Sequence, residues 1–367
     1  MGEFLIADCE TDGFLDKMTK LHMIQLGSID DPTDNVVYGD HPLCDRPLAE
    51  GVDRLRAADR LYFHNGIRFD RPAIERFHPG AVPREKLWDT LIMSQLAFPK
   101  RFQHSLKSWG LDLHVQKDEY TGDYQEITQD FVDYARQDII TGRAMTKHLL
   151  EHIPLPESEE ALRTEFSAAY WVWVQEQTGF HLDVEGAEKL YWGLVAKKRD
   201  LEAKLRAEFP PRWKSLGLQV SRANNSKYGY TKGTEWTRIE WDEFEPSNRG
   251  KAAERLVELG WKPKEFNQRG PVMDDEVLEV LSTRFPAAVM MREYFEAEKQ
   301  AAEIGGDGGW LKNLDDQGRV HGRVRSLGAY TQRMAHSQPN MAKIPKAPGF
   351  RDLWIARPGW WLVGCDG

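Results

Sequence analysis

The chain has 367 residues, 41% of them apolar, with a formal net charge of −9 and three scattered cysteines, Cys9, Cys44 and Cys365. That length suits two or three folded units with separate cores, and so few cysteines exclude a disulfide framework and point to a reducing compartment, the cytoplasm by default. No apolar run is long enough to span a bilayer, and Met1 to Ala7 form neither a signal peptide nor an acylation signal, so a soluble protein with no membrane partner is expected; the acidic balance excludes indiscriminate adhesion to polyanions.

In chain order, Glu3 to Asp8 reads as a strand near the centre of a sheet, with Asp8 and Glu10 at its end and Thr11-Asp12-Gly13 as a turn. Met23 to Ile29 and Arg60 to Phe63 read as two more strands. Helical spacing covers Pro47 to Ala58, Arg71 to Phe77, Asp89 to Ala97, His104 to Gly110 and Thr128 to Ile153. The succession predicts a mixed α/β domain over 1–153, a central sheet with flanking helices, ended by Pro154-Leu155-Pro156.

Residues 159–304 change character to long helices, beginning with Glu159 to Thr178 and Asp183 to Phe209. In the second, Ala187, Leu190, Leu194, Leu201 and Leu205 recur at helical spacing. Lys214 to Glu245 reads as an irregular insertion, followed by helices over 251–260, 274–283 and 287–304. Trp171, Trp173 and Trp192 read as core or interface residues. Gly305-Gly306-Asp307-Gly308-Gly309 marks a boundary, after which 305–367 resumes short strands and turns.

Four acids carry the chemistry. Asp8 and Glu10 are two apart on a strand and so project from one face. Asp70 closes Asn65-Gly66-Ile67-Arg68-Phe69-Asp70 at a helix start, where an ordinary capping acid is the competing reading. Tyr134 and Asp138 are i and i+4 on a helix, hence on one side of it. Carboxylates packed together repel one another unless a strong positive charge sits among them, and a divalent cation is the simplest such charge. Oxygen-only ligands favour Mg²⁺ or Mn²⁺ over zinc, and metal-assisted phosphodiester hydrolysis is the chemistry they suit. Near the carboxyl end, 319–357 holds eight Lys or Arg residues against the single acid Asp352, interleaved with Gly, Pro and aromatic residues. That composition suits phosphate contact better than a merely solvated face.

The segments Asp8-Cys9-Glu10-Thr11, Asn65 to Asp70 and Tyr134-Ala135-Arg136-Gln137-Asp138 resemble the three exonuclease motifs of the DEDD superfamily, in its tyrosine-containing subgroup. Residues 104–110, Gln177-Thr178-Gly179-Phe180 with Asp183, Gly328-Ala329-Tyr330-Thr331-Gln332-Arg333, and Pro339-Asn340-Met341-Ala342-Lys343-Ile344-Pro345 are similar to family A DNA polymerases of the phage replicative branch. The resemblance implies an RNase H-like 3′–5′ exonuclease domain, a thumb-like helical region and the start of a polymerase palm. It implies that Asp8 bridges two Mg²⁺ or Mn²⁺ ions, that Glu10 and Asp138 complete the first site, that Asp70 holds the second ion, and that Tyr134 orients the attacking water. Asn65, Phe69, Arg323, Arg325, Arg333, Asn340 and Lys343 are then the expected DNA contacts, to a single-stranded 3′ end and to primer-template.

Val363-Gly364-Cys365-Asp366 resembles the opening of polymerase motif A, which makes Asp366 a metal ligand of an incomplete polymerase site. The resemblance implies a chain that does not polymerise alone and meets a complementary fragment carrying the fingers and the rest of the palm, in a host cytoplasm if phage-encoded. Where the family reads Thr-Gly-Arg, this chain has Thr331-Gln332-Arg333, which keeps the arginine and gives up the backbone freedom of glycine. Lys214 to Glu245 is short for a thioredoxin-binding insertion, which speaks against a thioredoxin partner. Two rival expectations share the acids: a stand-alone RNA-trimming exonuclease, and a catalytically silent module that holds DNA and docks the missing polymerase half.

Overall fold

The computed structural model describes residues 2–115, 120–268 and 270–363, which form two compact units: 2–179 with 321–342, and 180–320 with the described residues from 343. In the first unit the elements run β1 (Phe4–Thr11), β2 (Leu21–Ser28), β3 (Val36–Tyr38), α1 (Leu48–Ala57), β4 (Arg60–Phe63), α2 (Asp70–Phe77), β5 (Leu87–Asp89), α3 (Thr90–Ala97), α4 (Leu106–Asp112), α5 (Gln129–His152) and α6 (Glu159–Thr178). The five strands make one mixed sheet in the order β3-β2-β1-β4-β5. β1 pairs antiparallel with β2 and parallel with β4, so it lies at the centre, as its sequence requires. Asp8 and Glu10 lie near the end of β1, and a register shift between Glu10 and Thr11 ends the regular pairing.

The core of this unit gathers Leu5, Ile24, Leu26, Leu61, Trp88, Ile139 and Leu149. Two glycines let α5 approach the sheet closely. A Cβ on Gly27 would stand 2.7 Å from Ile139 Cγ2, and one on Gly142 would stand 3.0 Å from Ile6 Cγ2. Arg143 of the same helix locks the approach, donating to the carbonyls of Ser28 (2.8 Å), Pro32 (3.2 Å) and Asp34. The helix breaks after His152, where the prolines are, but the first unit extends beyond 153 through α6, because Leu162, Phe166 and Ala169 pack into the same core.

The second unit holds β6 (Phe180–Leu182), α7 (Val184–Glu208), β7 (Arg212–Val220), β8 (Glu235–Asp242), α8 (Arg249–Glu258), β9 (Phe266–Asn267), β10 (Gly270–Pro271), α9 (Asp275–Ser282), α10 (Pro286–Gly305), β11 (Arg319–Val320) and, last in the chain, β14 (Trp354–Ile355). Leu201 and Leu205 of α7 meet Leu256, Leu278, Met291, Tyr294 and Phe295 in its core. The tract read as irregular contains an antiparallel hairpin, β7 with β8, most of whose side chains are exposed. Its alternation was hidden because neither face is buried, so no apolar period marks it. Between β11 and β14 the chain returns to the first unit as a second hairpin, β12 (Arg323–Arg325) with β13 (Ala335–Ser337). Trp171 and Trp192, expected in a core or interface, are exposed at 59% and 60%. Among the described residues, no helix is long and apolar enough to cross a membrane.

Candidate active site

The sheet and two helices bring the four acids together. Asp8, Glu10 and Asp138 each offer a carboxylate oxygen within 4.8 Å of the other two. Asp70, buried at the start of α2, accepts a 3.1 Å hydrogen bond from the Cys9 backbone N–H, between Asp8 and Glu10 on β1. It therefore reaches across to the central strand, while Phe69, the residue before the helix, makes no side-chain cap.

Burial pushes the Asp70 carboxyl up to about 7, although its contacts with Cys9 and Asp8 pull it down. Burial also raises the Cys9 thiol well above its usual range, and Asp70, Asp8 and Glu10 raise it further. Cys9 thus reports a concentrated negative field at the heart of the cluster. Gln25 lies opposite Asp8 across the β1–β2 pair, fully buried, and its amide nitrogen and oxygen have no hydrogen-bond partner among the described residues. A donor set of carboxylate oxygens in a shared negative field, beside a buried amide in need of a partner, fits a hard divalent cation with its water ligands.

Asp89 is the residue that sequence reasoning missed. Its buried carboxylate accepts from the backbone N–H groups of Ile67 (3.0 Å) and Asn65 (3.3 Å) while it caps α3 through Leu91 (3.0 Å) and Ile92 (3.4 Å). One acid thereby shapes the loop leading to Asp70 and starts the next helix, and only its place as a helix-opening Asp was legible. Burial lifts it to about 6 against those four bonds. Asn65 takes a left-handed backbone, φ 68°, which asparagine tolerates better than most residues.

These two carboxyls give a pH dependence. Without divalent metal, the folded protein keeps protons on Asp70 and Asp89 that the unfolded chain sheds above about pH 4. Their contribution is fully present below that value and is lost as pH rises through about 6 to about 7. Urea melts in chelator should therefore weaken by something on the order of 3 kcal/mol between about pH 5 and about pH 8. Stability that is flat over that range would show the burial effect to be absent.

Tyr134 is half-buried one turn before Asp138, its ring 5.7 Å from that of Tyr120. It stands on the wall of a cavity of about 690 Å³ that Asp123, Glu126, Asp130, Asp133 and Gln137 also line. Phe69 is half-buried against the core, so its ring is not openly displayed. Arg323, Arg325 and Arg333 are exposed in the β12–β13 hairpin region, and Asn340 is half-buried, all in the first unit; exposed Lys343 belongs to the second. Asp366 lies outside the described residues.

Gln332 holds the glycine position of the Thr-Gly-Arg pattern in a left-handed conformation, φ 62°, inside a turn closed by Gln332 N–H to Ala329 O at 2.8 Å. The side chain sits where a glycine would be unstrained. Gln332→Gly should relieve about 1–2 kcal/mol of strain and return about half of it as unfolded-chain entropy, a net gain of about 0.5–1 kcal/mol in denaturant melts. A loss of stability would show that Gln332 makes compensating contacts.

A mixed sheet flanked by helices carries the carboxylate cluster on its central strand, an arrangement able to hold a divalent cation. No family model matches the sequence. The chain is 28% identical, over 93% of its length, to each of two proteins named DNA-directed DNA polymerase, from Enterobacteria phage T3 and Escherichia phage T7. It spans 62% of the length of those relatives. Its fold matches the POL domain of Pol1 from M. smegmatis, solved in complex with DNA primer-template and dNTP, with a TM-score of 0.67 over 98% of this chain and 56% of that one, at 14% identity. The chain is a relative of the T7-like family A DNA polymerases.

Proposed function

We propose that this chain carries the 3′–5′ exonuclease of a family A replicative DNA polymerase, in an RNase H-like first unit, with a DNA-holding thumb-like second unit. The observation that carries the reading is the meeting of Asp8, Glu10 and Asp138 oxygens within 4.8 Å, with Asp70 bonded to the strand between the first two. Asp8, Glu10 and Asp138 would hold one Mg²⁺ or Mn²⁺ ion, and Asp70 with Asp8 would hold a second. Such a pair, when bound, activates water and stabilises the departing 3′ oxygen of a terminal phosphodiester. Tyr134 orients the attacking water through its hydroxyl, and Asp89 keeps the Asn65–Asp70 loop in shape to receive the last nucleotides. The product is a deoxynucleoside 5′-monophosphate.

The substrate is a frayed single strand, since terminal bases must leave the duplex to reach a recessed carboxylate site. Exposed Arg323, Arg325 and Arg333 supply phosphate contacts. Nucleotide addition is the activity in the relatives' names, and for the polymerase as a whole it is part of the same proposal, acting in a host cytoplasm. The test offers a 3′-labelled single strand with Mg²⁺ or Mn²⁺. Stepwise release of mononucleotides that chelator stops supports the reading; DNA retention without cleavage under all metal conditions would replace it with the silent DNA-holding module. Equal trimming of RNA and DNA would favour an RNA-processing exonuclease instead.

A further inference from the structure

The far end of α5 presents a second cluster, unlike the first in chemistry and independent of the exonuclease reading. His148, Glu151 and His152 fall in an H-x-x-E-H spacing, which puts both imidazoles on one helix face. Their ligand atoms, two ring nitrogens and one carboxylate oxygen, all lie within 4.8 Å of one another. A tetrahedral zinc ion with bonds of about 2.0–2.2 Å needs ligand atoms about 3.4 Å apart. Glu151 and His152 are exposed and free to close the remaining gap by side-chain rotation. We propose that His148, Glu151 and His152 form a binding site for a zinc-class transition-metal ion across the last turn of α5.

Four further observations support it. The two rings already stand 4.4 Å apart by centroid, closer than two independent surface histidines need be. His152 Nδ1 lies 2.8 Å from the His148 carbonyl; as a donor there, it leaves Nε2 with the lone pair, the arrangement by which proteins fix the tautomer of a metal-binding histidine. The site also sits where the carbonyls of a helix C-terminus favour positive charge. His148 is backed by Phe98, stacked at 5.6 Å, and by Trp109 at 5.4 Å, so an apolar wall holds one ligand in place. Arg101, whose charge reaches His148, is itself paired with Asp112 at 2.5 Å and laid on the Trp109 ring.

The ligand types separate this site from the first one. Imidazole nitrogen selects zinc, cobalt, nickel or copper, and the all-oxygen cluster at Asp8 selects magnesium or manganese. Three protein ligands leave a position for water. Because α5 also carries Tyr134 and Asp138, an ion across its last turn braces the helix that supplies part of the exonuclease cluster.

The experiment titrates Zn²⁺ and Co²⁺ into metal-stripped protein in excess Mg²⁺, by calorimetry and by the visible absorption of bound Co²⁺. Asp8→Ala/Glu10→Ala serves as the background, so that the carboxylate cluster does not contribute. One Zn²⁺ per chain that excess Mg²⁺ fails to displace is the expected result. His152→Gln should weaken it at least ~100-fold, the upper range for loss of a mere supporting partner, and Glu151→Gln should weaken it less. Both residues are exposed, and Glu151→Gln, which touches no ring, controls for the contact of His152 with Phe98 at 5.1 Å, whereas His148→Gln would disturb the packing on both Phe98 and Trp109. No zinc binding by the background protein, or equal affinity in the His152→Gln and parent proteins, would overturn the proposal.

Discussion

Replacing Asp8 and Glu10 together by alanine will abolish removal of 3′ nucleotides, by at least about 10³-fold, and will stabilise the metal-free fold. The first effect follows from what metal chemistry supplies: several kcal/mol of charge stabilisation, with each 1.4 kcal/mol a factor of ten in rate. The second follows from the strain in the cluster. Three carboxylates share a space under 4.8 Å across, Asp70 is held near 7 by burial, and the Cys9 thiol is driven up by all of its acidic neighbours. Removing two of the charges should raise stability in chelator by about 1–2 kcal/mol at neutral pH. Urea melts with and without Mn²⁺ read this directly: the parent gains from the ion and the double variant does not. A double variant that loses activity but is also less stable in chelator would show that Asp8 and Glu10 serve the fold, not a cation.

The long helices were legible because each buries one stripe and leaves the other wet. α6 and α10 fall within a residue or two of their expected limits for that reason. β1 and β2 were legible as well, being eight residues long and largely buried. β3 and β5 escaped, because three residues are too few to establish a period. The acids were readable one by one as residue types in context, but their meeting was not. It depends on Gly27 and Gly142, two residues without side chains whose close approach, to Ile139 and to Ile6, lets α5 settle onto β1 and β2. Asp89 was hidden for another reason: its carboxylate acts on a loop 22 to 24 residues earlier, and no local pattern carries that information.

Glu176 is the most demanding case of such hidden structure, and its loss should be a costly change to a polar side chain of the first unit. Only 7% of its side chain is exposed, and its carboxylate accepts from Arg68 and from the Val324 N–H, while Arg68 Nη1 donates to the Val324 carbonyl at 2.9 Å. His321 Nδ1 adds a 2.6 Å contact to the Glu176 carbonyl. One buried acid thus ties α6 and the β12–β13 hairpin to the loop that ends at Asp70. Glu176→Ala leaves the Arg68 guanidinium and the Val324 N–H without their acceptor, and removal of one member of a buried ion pair costs about 3–5 kcal/mol. Arg68 is 28% exposed and can turn partly to water, which places the expected loss near the lower end, about 3 kcal/mol. The paired change Glu176→Leu with Arg68→Met removes both charges and should cost well under the sum of the single changes, since no unpaired charge stays behind. Denaturant melts of Glu176→Leu, of Arg68→Met and of the double variant make the cycle. Additive losses would mean that Glu176 and Arg68 stabilise the unit independently, and the loop before Asp70 would then owe its shape to Asp89 alone.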